Sequence, residues 1–261
     1  MSAREDIAFL VGSSIREEIL RELSESNMRP TELAAECSCA RETAQRTLAG
    51  FVDRGWVTKE DGRYRITPAG DLVLEQYERL ASTVTGAHRL RPFLANAGLV
   101  AQRLLPDALG CFTVTTATSD NPHAPIDRYL SVLGDEPVSS FRGITPIVSR
   151  VFNEATEAVI GPETEMELVI DESVLDASRT DYPDALRRAF ELDQFDLFLA
   201  SETIDFGLAL VDGHAYVGAY DEDGNLVASI DGTDETLREL ASDLYVEYRS
   251  RSNLLEPDRT E

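Results

Sequence analysis

The stretch TELAAECSCARETAQRTLAGFVDRGWVTKEDGRYRITPAG, residues 31–70, holds two periodicities side by side. In residues 41–54, Ala44, Leu48, Phe51 and Val52 recur at i, i+4, i+7 and i+8, the single apolar stripe of an amphipathic helix. Gly55 follows as a left-handed cap. Then 56–60 and 63–67 alternate around Asp61-Gly62, a dipeptide suited to a tight hairpin turn. Upstream, Pro30-Thr31-Glu32 opens a short helix with proline where a missing N–H costs little. Leu33 and Ala34 face inward, and 38–40 form a tight turn. Residues 5–23 place Ile7, Leu10, Ile15, Ile19, Leu20 and Leu23 at helical spacing and read as one helix.

Helix, helix, turn, helix, hairpin is the order of a winged helix-turn-helix, assigned to residues 1–70. Charge supports nucleic acid as its partner. The chain has 48 acidic against 24 basic residues, a net charge of −24. Within 41–65, however, six cations face four acids, so the least acidic stretch lies where phosphate would be met. Arg41, Thr43, Gln45 and Arg46 are the candidate groove contacts, because arginine suits guanine and glutamine suits adenine. Lys59, Arg63 and Arg65 on the hairpin are candidates for backbone or minor groove. For each, the plain alternative is a solvated surface side chain. A protein-docking module without specific DNA binding is the alternative for the whole domain.

The same residues carry a family resemblance. Asp53-Arg54-Gly55-Trp56, Asp61-Gly62 and Tyr64-Arg65-Ile66-Thr67-Pro68-Ala69-Gly70 resemble the recognition-helix end, wing and following turn of archaeal transcription regulators. Those proteins commonly begin the recognition helix with serine, and here Ala40 stands in its place.

Residues 71–107 read as a helical linker, Pro92 early and Gly98 a bend. They are a candidate dimer interface, with packing onto the C-terminal half as the alternative. From 108 strands and helices alternate: strands at 111–118, 138–141, 165–170 and 195–200, helices at 125–133, 145–160 and 184–192. A meander over 206–230 with Asp-Gly turns and a helix over 234–251 follow. This predicts an α/β domain with a mixed sheet over 108–252 and a flexible tail at 253–261. The layout resembles haloarchaeal regulators with a filamentation/methanogenesis-regulator-type middle domain. The residues carrying it are Asn121-Pro122-His123-Ala124-Pro125-Ile126-Asp127-Arg128, FGLALV at 206–211, and Val217-Gly218-Ala219-Tyr220-Asp221-Glu222-Asp223-Gly224. A more distant similarity, to the TrmB sugar-responsive regulators, implies a phospholipase-D-like fold by analogy and a sequence-specific DNA-binding regulator.

Catalysis is not expected. Phospholipase D chemistry needs H-x-K, and Lys59 is the only lysine. His88, His123 and His214 have no partner at a telling spacing, and no phosphate-binding glycine motif occurs. No cofactor, metal or catalytic residue is assigned. Ligands of α/β sheets favour strand ends next to helix starts. That makes Arg128, Ser140, Arg142 and Thr145 candidate contacts for a small-molecule effector, with helix capping and a surface arginine as the alternative.

The other 23 cations are all arginine. With the acidic balance this predicts a salt-in halophile, an archaeon; a mesophilic acidic protein short of lysine by chance is the alternative. Hydrophobic residues make up 43% of the chain, which excludes disorder. No apolar run suits a membrane span and the N-terminus lacks a signal peptide's apolar core, so a cytoplasmic protein is expected. Cys37, Cys39 and Cys111 are too few for a disulfide framework and read as small packing residues, with a redox sensor at Cys37 and Cys39 as the alternative.

Overall fold

Two helices stand where the apolar spacing predicts one: α1 (Ala3–Val11) and α2 (Ser14–Glu25). The computed structural model describes residues 2–104 and 112–256. Ser2 and Glu5 close a capping box at the start of α1. Gly12 and Ser13 interrupt the helix, Ser13 being fully extended. Serine and glycine gain more outside a helix than within one, which the apolar pattern does not register. The break leaves Ile7 exposed while Leu10, Ile19, Leu20 and Leu23 are buried.

Next come α3 (Pro30–Glu36), α4 (Arg41–Asp53), the hairpin β1 (Val57–Glu60) and β2 (Arg63–Ile66), and α5 (Pro68–Arg89). Pro30 opens α3, and the Glu32 carboxylate accepts from Arg29 N–H at 2.8 Å. Ser38 turns the chain with φ +47°. Ala40 begins α4 without a side-chain cap, as the missing hydroxyl requires. Ala44, Thr47, Leu48 and Phe51 of α4 are buried. β1 and β2 pair from Val57↔Ile66 to Glu60↔Arg63, and Asp61 and Gly62 both have positive φ, as a type I′ turn demands.

The Thr-Pro-x-Gly ending of the motif also has a physical basis. Thr67 Oγ1 donates to Gly55 O at 2.7 Å and accepts from Gly70 N–H at 3.1 Å. A Cβ at position 70 would lie 2.2 Å from Trp56 O, so only glycine lets α5 start here.

The chain divides into two compact units, Met1–Ser82 and Thr83–Glu261. The second has α6 (Arg91–Leu94), α7 (Gly98–Arg103), β3 (Thr113–Thr116), α8 (Ala124–Leu133), β4 (Val138–Ile144), α9 (Arg150–Val159) and β5 (Ile160–Ile170). These lead into α10 (Glu172–Asp181), α11 (Pro183–Phe190), β6 (Phe195–Leu199), β7 (Phe206–Val211), β8 (His214–Tyr220), β9 (Leu226–Gly232), α12 (Glu235–Ser250) and β10 (Asn253–Leu254). One sheet has the order β10-β6-β5-β4-β7-β8-β9-β3. β4, β5 and β6 are parallel to one another and the remaining pairings are antiparallel, so the sheet is mixed. On one face Ile144, Val169, Phe206, Val217 and Ile230 pack with residues of α12. On the other, Phe141, Met166 and Tyr216 meet α8 and α9.

Several expectations change. Leu90, Phe93, Ala97 and Val100, read above as linker, are fully buried in the same core as Phe206 and Val217. β4 runs on to Ile144, and the helix expected from 145 begins at Arg150. Thr145 Oγ1 donates to Ile147 O at 2.7 Å, making a local turn, and Ser149 Oγ accepts from Phe152 N–H as the true cap. α10 has no counterpart in the sequence reading; its sparse apolar content hides it, while buried Asp171 caps it. Asn253 and Leu254, placed in a flexible tail, pair with Leu199 and Phe198. Cys111 lies outside the described residues. No helix among the described residues is long and apolar enough to cross a membrane.

Candidate nucleic-acid interface and ligand cavity

The buried stripe of α4 sets what the helix offers outward. Opposite Ala44, Leu48 and Phe51 lie Glu42, Arg46, Ala49 and Asp53, all exposed. Arg41 and Gln45 are exposed on one flank of that line, and half-buried Thr43 is on the other. The side chains of Arg41, Gln45 and Arg46 make no hydrogen bond or ion pair among the described residues. They are held by a helix rather than by partners, so their polar ends are available.

The hairpin cations differ. Lys59 stands 5.5 Å from the Tyr64 ring centroid without a carboxylate partner among the described residues. Arg63 donates to both Glu32 oxygens at 3.1 Å and to Asn27 O at 2.7 Å, pinning β2 to the start of α3. Arg65 pairs with Glu60 at 3.2 Å. The sequence treats the three alike because it cannot show which carboxylates the fold returns to them.

Arg54, part of the Asp53-Arg54-Gly55-Trp56 motif, has contacts that the sequence does not show. It pairs with Asp6 at 2.8 Å and stacks 3.8 Å above the Phe9 ring, with Arg16 4.2 Å from the same ring. Arg16 also donates to Phe9 O. Two arginines thus tie α1 and α2 to the end of α4. Cys37 is buried, and burial pushes its thiol up to about 11, so little reactive thiolate exists near neutrality.

In the second unit the four candidate effector contacts do not come together. Arg128 on α8 grips buried Asp231 of β9, with Nε at 2.8 Å and Nη2 at 2.5 Å, and His214 Nε2 lies 2.9 Å from the same carboxylate. Hydrogen bonding to Asp231 raises the Arg128 guanidinium above its usual range. Ser140 N–H donates to Asp212 Oδ1 at 3.0 Å near the start of β4. Arg142 lies on the opposite sheet face from Phe141, beside Glu167 at 3.8 Å. Thr145, at the end of β4, faces a cavity.

That cavity has a volume of about 330 Å³ and lies between the sheet and α8–α11. Its floor is Phe141, Met166 and Leu168; Phe152 of α9 and Leu186 and Ala189 of α11 form the roof. α9 fully buries only Val159 and α11 buries no residue, so these helices cover the space without filling it. Polar groups are few: Thr145, Asn153, Thr156, Ser178 and the phenols. Burial raises the Tyr129 hydroxyl to about 12, offset in part by its hydrogen bond with Thr156. At the rim Arg188 Nη2 reaches Glu157 Oε1 at 2.7 Å, joining α11 to α9. The sequence signal that could have found this space is the Ala185/Ala189 pair, one turn apart where larger apolar residues would fill a core. Among the described residues no three His, Cys, Asp or Glu side chains gather to hold a metal.

Residues 122–251 match the family model of the methanogenesis regulatory protein FilR1, middle domain, and residues 4–89 match that of the HVO_A0261 N-terminal domain. No curated protein matches the chain. Among solved structures it is similar to TrmBL2, an archaeal chromatin protein with a novel mode of DNA binding, at 11% identity and a TM-score of 0.43, covering 97% of this chain and 100% of that one. It is also similar to the phospholipase D family member Nuc from Salmonella typhimurium, at 14% identity and a TM-score of 0.40, covering 56% and 99%. Likenesses this loose define no shared site.

Proposed function

We propose that the chain is a dimeric, sequence-specific transcription regulator of a halophilic archaeon, acting in the cytoplasm on double-stranded promoter DNA. Residues 1–70 serve as a winged helix-turn-helix, and the C-terminal domain senses a small-molecule effector. One observation carries the DNA-binding reading. Arg41, Gln45 and Arg46 stand exposed on α4 with no hydrogen bond or ion pair among the described residues, in the same unit as the Asp61-Gly62 hairpin. The match of residues 122–251 to the middle domain of a methanogenesis regulatory protein supports a regulatory role.

In concentrated salt, phosphate contacts add little, because each costs about 0.9 in log K per tenfold rise in salt. Groove fit and paired half-sites then carry the affinity. Leu72, Leu80 and Val84 of α5 are 62%, 57% and 48% exposed, and this unfilled apolar side supports α5 as the dimer helix. Glu42 and Asp53, on the same exposed line as Arg46, favour the second reading, a docking surface for a basic protein.

Chromatin immunoprecipitation with sequencing, on a tagged copy beside an Arg46→Ala variant, tests this. Promoter peaks that share a palindrome and vanish in the variant are expected. Recovery of a protein partner without DNA enrichment would overturn the regulator reading in favour of docking.

A further inference from the structure

We propose that the cavity beneath α9 and α11 is the effector site, and that it takes an uncharged, mainly apolar molecule bearing one hydroxyl or carbonyl group. The proposal deepens the effector-sensing reading and rests on it only for the consequence of binding, not for binding itself.

Size comes first. At about 330 Å³ the space falls within the range of ligand pockets, about 300–1,000 Å³, and exceeds by about twofold an apolar cavity that takes up benzene. Packing defects left by chance are smaller than this. Here the two roofing helices present apolar faces and leave the space between them and the sheet unfilled, although a few larger side chains would close it.

The lining then sets the chemistry. Arg188 is the cation at this lining, and Glu157 already neutralises it at 2.7 Å. A charged ligand would therefore have to break that pair and lose water without compensation. An uncharged one need not. Three polar groups are left over, the Tyr182 hydroxyl among them. The Tyr220 hydroxyl and the Asn153 amide both line the cavity and make no hydrogen bond among the described residues. Glycine makes the room for Tyr220: a Cβ at Gly207 would lie 2.9 Å from its hydroxyl, and one at Gly218 would lie 3.3 Å from its ring. A phenol kept at this cost in strand propensity, and without a protein partner, fits a role in meeting a ligand oxygen.

The rim supplies a way in. Arg188 and Glu157 are exposed and link α11 to α9, so entry needs the parting of one surface ion pair, a contact of little strength. Binding then fixes α9 and α11 against the sheet, which is the differential contact a sensor requires.

The test is a fluorescence titration of the full chain with N-phenyl-1-naphthylamine, followed by competition with 1-naphthol and with naphthalene. Saturable binding of one probe per chain is expected, with 1-naphthol the better competitor. Ala189→Trp, which fills the roof, should abolish it while circular dichroism stays unchanged. Tyr220→Phe, which keeps the cavity volume, should weaken 1-naphthol about three- to tenfold, one neutral hydrogen bond, and leave naphthalene unchanged. No saturable binding overturns the proposal. So does probe binding that survives in a folded Ala189→Trp, or a Tyr220→Phe variant that binds 1-naphthol as the parent does. Retention of promoter DNA with and without probe is read separately. Cavity binding that leaves DNA retention unchanged supports the site and defeats only the sensing reading.

Discussion

Alanine at position 63 and alanine at position 46 should fail in different ways, although both arginines are candidate DNA contacts. Arg63 holds Glu32 through two bonds of 3.1 Å and Asn27 O through one of 2.7 Å. The side chains of Arg63 and Glu32 are 45% and 39% exposed, so water screens most of the ion pair. With that discount the ion pair is left out of the sum, and the bond to the Asn27 carbonyl contributes about 1 kcal/mol to the first unit. For a domain of this size that is a fall of about 4–8 °C in melting temperature. Arg46 has no partner to lose, and Arg46→Ala should stay within about 0.5 kcal/mol of the parent. Its effect belongs to binding. A lost phosphate contact flattens the plot of log K against log salt by about 0.9, and a lost base contact costs about 1–3 kcal/mol at one position of the site. Circular dichroism melts, with anisotropy titrations of an immunoprecipitated promoter duplex at several KCl concentrations, measure both. If Arg63→Ala flattened the salt dependence by about one and melted like the parent, the assignment of Arg63 to the fold would be wrong. If Arg46→Ala bound like the parent at every salt, the outer face of α4 would not meet DNA.

Three further outcomes follow from the buried groups. Asp231→Ala takes the shared carboxylate from Arg128 and His214, which are 32% and 27% exposed, and should cost about 1–3 kcal/mol, read from urea unfolding of the second unit; a cost below about 0.5 kcal/mol would show that Asp231 is not the anchor. Burial holds the phenols of Tyr129, Tyr216 and Tyr220 above the ordinary tyrosine range, Tyr129 at about 12. Unfolded tyrosines ionise near pH 10, so the unfolded state loses protons first: this stability is whole below about pH 10 and is lost as pH rises towards 12, with the tyrosinate absorbance of these three residues appearing only as the fold melts. A full tyrosinate titration near pH 10 in folded protein would contradict it. Cys37, its thiol held at about 11, should resist alkylation at neutral pH in the native state, while half-buried Cys39 is the more accessible; rapid labelling of Cys37, read by mass spectrometry, would reopen a redox role.

The features legible in the sequence were those with a local cause. Asp61-Gly62 specifies its turn by backbone geometry alone, and Thr67-Pro68-Ala69-Gly70 carries its own capping and close approach, so hairpin and helix start fall where expected. The stripe of Ala44, Leu48 and Phe51 likewise sets the outward face of α4. Features that depend on distant partners were hidden. Arg63 looks like a free cation until Glu32 is brought beside it, and Arg128 looks like an effector contact until Asp231, far along the chain, takes it. The cavity was least visible, being defined by side chains too small to fill it, and a pattern of apolar positions does not record volume.

The strand order has a consequence for how the chain leaves the ribosome. β3 pairs with β9, Thr113 opposite Asp231, so the earliest strand of the second unit waits for almost the latest. The first unit is complete within Met1–Ser82 and can form while synthesis continues. The growing sheet by contrast carries an unsatisfied edge through most of its translation, since long-range pairing comes last. Nascent chains paused after β7 should therefore be the species that chaperones hold, and codon changes that slow elongation there should lower the yield of native protein without altering a single residue.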